Sequence, residues 1–250
     1  MAKILLATLG EAHGVITTMV DALADESATG HGHNRPMPED YVDQVVLLCV
    51  NRSETDDILN WLRAQFDPNG YYAQLKGTPI PIEVCTTRDG DLTDQSSNFR
   101  FWKMACRKVQ ELSQSGDELL ISLAGGRKSM SALLMAGAFI FAPQSARLYH
   151  LIVKFSDPHD DKDFQDYSAF ERWSSLDEGD PLRERVIHPP SEARYLIPFP
   201  PYLCGLAGCS LQTRVEGLLT REFSSGMPLS ELAQQVLIGS PPTITPAEVR

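Results

Sequence analysis

The stretch LLISLAGGRKSMSALLMAG, residues Leu119–Gly137, decides how this chain is read. It opens with a short apolar run, the pattern of a strand buried on both faces. Gly125 and Gly126 break the run, and Arg127 and Lys128 follow at once. From Met130 the apolar residues resume at helical spacing. Strand, glycine turn and helix in that order are half of a βαβ unit.

The same grammar repeats outward. KILLATLG (Lys3–Gly10), QVVLLCV (Gln44–Val50), IPIEVCT (Ile80–Thr86) and ARLYHLIV (Ala146–Val153) read as further buried strands. Helical patterns lie between them: Val15–Leu23, SETDDILNWLRAQF from Ser53, where Ser53 reads as the N-cap, and NFRFWKMACRKVQELSQ from Asn98. Ala28–Asp40, rich in Gly and Pro, reads as a loop. Alternation of this kind predicts an α/β fold: a Rossmann-like open, mainly parallel sheet with helices on both faces. Right-handed crossovers place every strand's carboxyl end on one edge, where such sheets bind ligands.

The character changes after Lys154. Ser156–Pro190 holds ten acids against four bases and few aliphatic residues. RYLIPFPPYLC (Arg194–Cys204) is strand-like but interrupted by prolines, and Leu211–Phe223 and Pro228–Leu237 read as short helices. The expected division is a ligand-binding domain over residues 1–155 and a small, partly irregular C-terminal extension over 156–250, packed on the sheet or on a partner.

The net charge of -11 argues against a general nucleic-acid or membrane coat, so neither duplex nucleic acid nor a membrane is expected as a partner. The five cysteines lack CxxC spacing and are expected to be reduced, structural thiols. Met1–Leu9 is too short for a signal peptide and no apolar run nears a membrane span, which points to a cytoplasmic protein.

Against that acidic background the Leu119 junction is unusual. From Leu119 to Ser156 there is no Asp or Glu, while Arg127, Lys128, Arg147 and Lys154 all fall there. Burial explains the missing acids but not two adjacent cations on the turn itself. A helix start offers unpaired amides and the positive end of a dipole. Gly125 and Gly126 let an anion approach the backbone, Lys128 and Arg127 add charge, and Ser129 and Ser131 add hydroxyls. The segment therefore reads as an anion site. Neither the Walker pattern nor GxGxxG fits it, which disfavours an ordinary ATP- or NAD-binding enzyme.

Two other loops should reach the same edge. TLGEAHGVITT supplies Thr8, Gly10, Gly14, Thr17 and Thr18, with His13 as a candidate base. TTRDGDLTDQSSNFR supplies Arg88; its Asp89, Asp91 and Asp94 lack the calcium-loop pattern and read as a solvated loop. His31 and His33 form an H-x-H pair with no Cys or acid ligand beside them in sequence, and no metal or cofactor is expected. Arg183–His188 matches the short R-x4-H signature of HEPN ribonucleases, but the all-helical domain that motif needs is missing around it.

ISLAGGRKSMSALLMAGAFIF followed by ARLYHLIV resembles the CARF-domain proteins of type III CRISPR systems, in particular their compact ring-nuclease branch. The match spans roughly Lys3–Val153. It implies a homodimer that binds a cyclic oligoadenylate, usually the tetra-adenylate, across its two-fold axis. It further implies metal-independent cleavage to linear di-adenylate with a 2′,3′-cyclic phosphate, which would switch off type III CRISPR signalling. By the resemblance, Lys128, Thr17, Thr8 and His13 are the catalytic candidates, and Gly10, Gly125, Gly126, Arg127, Ser129 and Arg88 the ligand contacts. Where that branch usually reads G-x-x-P-Q-V-x-T-E, this chain keeps Gly10, Val15 and Thr17 but has His13, Gly14 and Thr18 in place of Pro, Gln and Glu. The alternative is a non-catalytic sensor that signals through its C-terminal extension.

Overall fold

The computed structural model describes residues 1–11, 14–154 and 180–199, together with Thr213 and Glu216. Among the described residues six strands form one sheet: β1 (Lys3–Thr8), β2 (Gln44–Val50), β3 (Ile82–Thr87), β4 (Glu118–Ser122), β5 (Arg147–Val153) and β6 (Arg194–Pro198). Their spatial order is β3-β2-β1-β4-β5-β6, with β1 to β5 parallel and β6 antiparallel to β5. The helices are α1 (Gly14–Gly30), α2 (Ser53–Phe66), α3 (Tyr71–Lys76), α4 (Gln95–Gln114), α5 (Lys128–Phe141) and α6 (Pro181–Ile187). The expected open, Rossmann-like sheet is the fold observed.

Strand alternation builds two cores from one sequence pattern. Leu5 and Ala7 of β1, with Leu47 of β2, face Ile16 and Met19 of α1, Leu62 of α2 and Tyr72 of α3. Ile4 and Leu6, with Leu48, face Phe101 and Val109 of α4 and Leu134 and Ala138 of α5. Because the central strands β1, β2 and β4 are covered on both faces, their sequences read as nearly continuous apolar runs. Helices α1 and α2 thus lie on one face and α4 and α5 on the other. The chain reverses direction across the sheet between β1 and β4, and their carboxyl ends flank the resulting crevice.

Three features depart from local expectation. Helix α1 continues through Ala24 and Ala28 to Gly30, seven residues past Leu23, because those alanines are buried against the core. The short α3 was not anticipated; Tyr72 anchors it, stacked on Phe66 with centroids 4.4 Å apart. Residues 180–199, on the extension side of the expected division, complete the sheet itself. The expected helices at Leu211–Phe223 and Pro228–Leu237 lie outside the described residues, apart from Thr213 and Glu216.

A buried polar cluster ties α6 and β6 to α1. Asp21 Oδ2 meets His188 Nδ1 at 2.8 Å and Arg194 Nη1 at 3.0 Å, while Asp21 Oδ1 accepts from the Tyr72 hydroxyl at 3.0 Å. Arg194 also reaches Asp25 at 2.7 Å. Arg183–His188, set aside as a nuclease motif, thus places His188 in a structural network. Cys49, Cys85 and Cys106 are free thiols, and burial pushes all three above the ordinary range. They are poor nucleophiles. Cys204 and Cys209 lie outside the described residues. No described helix is long and apolar enough to cross a membrane.

Candidate anion-binding cleft

The crevice between β1 and β4 opens into a cleft of about 630 Å³. Its floor is two turns in contact: Gly10 after β1, and Gly125-Gly126 after β4. A Cβ on Gly10 would lie 2.5 Å from Gly126 Cα, so nothing larger than glycine fits without moving the backbone. Gly125 and Gly126 take φ values of +90° and +68°, which L side chains rarely adopt. A Cβ on Gly125 would also meet the Thr8 carbonyl at 2.6 Å.

Two hydroxyls hold this floor. Thr8 Oγ1 donates to the Gly125 carbonyl at 2.8 Å, and Ser131 Oγ donates to the same carbonyl at 3.2 Å. Thr8 is fully buried. Its hydroxyl holds the turn, so the catalytic candidate named by the resemblance sits beneath the cleft floor. Thr17, another catalytic candidate, is also bonded inward. It is fully buried, and its one hydroxyl proton is shared between the Ile187 carbonyl at 2.7 Å and the Gly14 carbonyl at 3.0 Å. It points at α6 and not into the cleft, because it sits one helical turn into α1. His13 lies outside the described residues.

The cations behave differently from one another. Arg127, the N-cap residue of α5, pairs with Asp91 Oδ2 at 2.7 Å. Lys128 opens α5, lines the cleft, is exposed, and has no ion pair among the described residues. The Arg127 side chain makes no capping hydrogen bond, while the Arg127 amide donates to Met130 Sδ at 3.4 Å. The first intrahelical donors are Met130 and Ser131, both bonded to the Arg127 carbonyl, so the amides of Lys128 and Ser129 come before the ladder begins. The result is a set of free donors beside an unneutralised ammonium, at the positive end of a helix dipole.

Ser129 and Arg88 are not among the described residues that line the cleft. The acids of the third loop are occupied: Asp89 takes a two-point contact from Arg100 at 2.7 and 2.6 Å, Asp91 holds Arg127, and Asp94 caps α4. Two lining residues went unnoticed in the sequence. Arg52 is the N-cap residue of α2, one position before the Ser53 expected there, and pairs with Glu11 at 2.7 Å across the mouth of the cleft. The adjacent RS at a helix start was the available signal. His150 reaches the cleft because β5 pairs with β4 only through Tyr149 and then runs on past it. No local pattern foretells that overhang.

Chemically, the cleft can hold an anion against backbone amides and Lys128, with Arg127 and Arg52 at its rim. Val15, Val50 and Ile58 supply an apolar wall suited to a flat, weakly polar group.

A family model described as CRISPR-associated protein NE0113 matches residues 14–172. No curated protein matches the sequence. Among solved structures, the chain is similar to a type III CRISPR defence DNA nuclease activated by cyclic oligoadenylate, at 17% identity and a TM-score of 0.38, covering 61% of this chain and 19% of that one. It is also similar to Enterococcus italicus Csm6 bound to cyclic hexa-2′-fluoro-hexa-dAMP, at 13% identity and a TM-score of 0.45, covering 81% of this chain and 43% of that one. The chain spans less than half the length of either structure.

Proposed function

From the premise that this chain belongs to the CRISPR-associated NE0113 family, we propose that its cleft binds a cyclic oligoadenylate, with the tetra-adenylate as first candidate, and cleaves it. The observation that carries the reading is Lys128, exposed and without an ion pair among the described residues, at the start of α5 above the Gly125-Gly126 turn. A phosphate fits the amides of Lys128 and Ser129, the Lys128 ammonium neutralises it, and an adenine packs on the Val15 and Ile58 wall. Arg127 holds a neighbouring phosphate once Asp91 yields it. A tetranucleotide ring exceeds one cleft of about 630 Å³. A two-fold ring therefore calls for two copies of the chain related by a two-fold axis.

In the cleavage step a ribose 2′-hydroxyl attacks the adjacent phosphorus. The new O2′–P bond forms as the bond to O5′ breaks, the 2′ proton leaves, and O5′ takes up a proton. Two such steps convert the tetra-adenylate into two linear di-adenylates with 2′,3′-cyclic phosphate ends. Rate comes from holding the attacking and leaving oxygens in line and from stabilising charge on phosphorus. Thr8 acts by fixing the turn that aims the amides.

One observation favours a second reading, that of a sensor which binds without cutting. Thr17, in the first turn of α1 beside the cleft, bonds the Ile187 carbonyl of α6, so ligand closure on that turn is passed directly to residues 180–199. Incubation with cyclic tetra- and hexa-adenylate in EDTA, followed by chromatography, separates the two. Linear product supports cleavage; saturable binding with no product supports the sensor; tight ATP or NAD binding with no ring binding overturns both.

A further inference from the structure

A second cluster of ligand-type side chains lies at the other end of α1. We propose that His31, His33 and Asp40 form a binding site for one divalent transition-metal ion of the zinc class. Local geometry sets the two histidines. Gly32 takes φ +77°, the Gly32 amide donates to the Thr29 carbonyl at 3.1 Å, and the His33 amide donates to the Ala28 carbonyl at 2.8 Å. This is a Schellman closure of α1, and it turns two successive imidazoles outward from a fixed backbone.

Asp40 comes from the 3-10 turn Pro38–Asp40, and its side chain is 0% exposed. Its carboxylate is already oriented: Oδ1 accepts from Ser27 Oγ at 3.0 Å and Oδ2 from the Met37 amide at 2.8 Å. His31 Nδ1 lies 2.7 Å from Oδ1, a hydrogen bond, but His33 Nδ1 lies 3.5 Å from Oδ2. The second distance is long for a hydrogen bond and suits a bridged pair. Metal–donor bonds of about 2.0–2.2 Å in a tetrahedron separate the donors by roughly 3.3–3.6 Å. On this reading the His31 contact holds the proton that a metal replaces, and the exposed rings close from donor separations of at most 4.8 Å.

Two imidazoles and one carboxylate are the donor set of zinc-class ions and not of calcium or magnesium. His31 and His33 are 53% and 39% exposed, so an ion can enter and water can complete its shell. Lys3, whose ammonium donates to Ser27 Oγ at 3.1 Å and the Glu39 carbonyl at 2.7 Å, is the cation nearby. It offsets the Asp40 charge and weakens the site relative to a four-ligand centre. Helix α1 is about 25 Å long at 1.5 Å per residue. The ion therefore staples the end of α1 to the turn before β2 and takes no part in the cleft.

The test is zinc titration by calorimetry of tag-free, EDTA-stripped and dialysed full chain, with thermal unfolding in parallel. Expected are one zinc per chain, a raised unfolding midpoint, and a loss of affinity of at least about 10–100-fold in His31→Asn and in His33→Asn. Cobalt substitution should give visible bands without a thiolate band, which excludes binding by cysteines. Both histidines are solvent-facing, so unchanged circular dichroism is expected of the variants. Equal zinc binding by wild type and the double variant, or no saturable binding by wild type, overturns the proposal. Ring binding in EDTA is measured separately and does not depend on this outcome.

Discussion

Two helices start at the same edge of the sheet and solve the same problem in opposite ways. Helix α4 follows β3 and is closed by its own sequence: Asp94 Oδ1 accepts from the Ser97 amide at 2.7 Å, and Ser97 Oγ accepts from the Asp94 amide at 3.2 Å. Helix α5 follows β4 with Arg127 at its N-cap and Lys128 at its first position; the Arg127 side chain caps nothing, and Met130 Sδ reaches only the Arg127 amide, at 3.4 Å. The stabilisation that a cap contributes is forgone at α5, and its amides are left free. A structural start supplies its own anion; a binding start waits for one.

Lys128→Ala attacks the contrast where it is greatest. It is expected to lower ring cleavage by about 10²–10³-fold if cleavage occurs, or to abolish saturable binding if the protein is a sensor. Folding stability should stay within about 0.5 kcal/mol of wild type. Cleavage or binding at the wild-type level would remove α5 from its assigned role.

Gly10→Ala comes next, since the new Cβ would lie 2.5 Å from Gly126 Cα. A loss of about 1–3 kcal/mol in urea unfolding is expected, with loss of ring binding as the two turns part. Wild-type stability would show that the turns can separate freely.

Asp94→Ala should do the reverse of Lys128→Ala, lowering the unfolding midpoint while ring binding is unchanged. The Ser97 amide holds the Asp94 carboxyl below its ordinary value of 3.8. A depressed folded pKa means that the contribution is complete above about pH 3.8 and is lost as pH falls through the lower folded value. Asp94→Asn should therefore flatten stability against pH in that acidic window, and an unchanged acid limb would refute the assignment.

The smallest effect belongs to Asp91→Asn, which releases Arg127 from a half-exposed ion pair. Stability should change by less than about 1 kcal/mol. Ring affinity should rise severalfold, most clearly at low salt. A fall in affinity would mean that Asp91 orients Arg127 for the ligand.

Much of this was legible in the chain itself. Apolar runs of five to seven residues, each followed by helical spacing, gave the order of elements, and LAGGRKS marked the strand–helix turn that lies at the cleft. Side-chain direction was harder to read. Thr8 and Thr17 were catalytic candidates by resemblance, yet both are buried and bonded inward, because strand pleat and helix phase decide where a hydroxyl points. Arg52 and His150 reach the cleft through a helix start and a strand overhang, neither of which leaves a pattern in neighbouring residues.

Sequence alone therefore determined the doubly wound fold and the cationic glycine turn. Both follow from local periodicity and from conformations that only glycine tolerates. Tertiary structure alone decided that Gly10 touches Gly126, that Asp40 meets His31 and His33, and that Arg194 of the edge strand β6 pairs with Asp21 of α1. Those contacts join residues 7 to 173 positions apart, and only packing of the two cores sets their register.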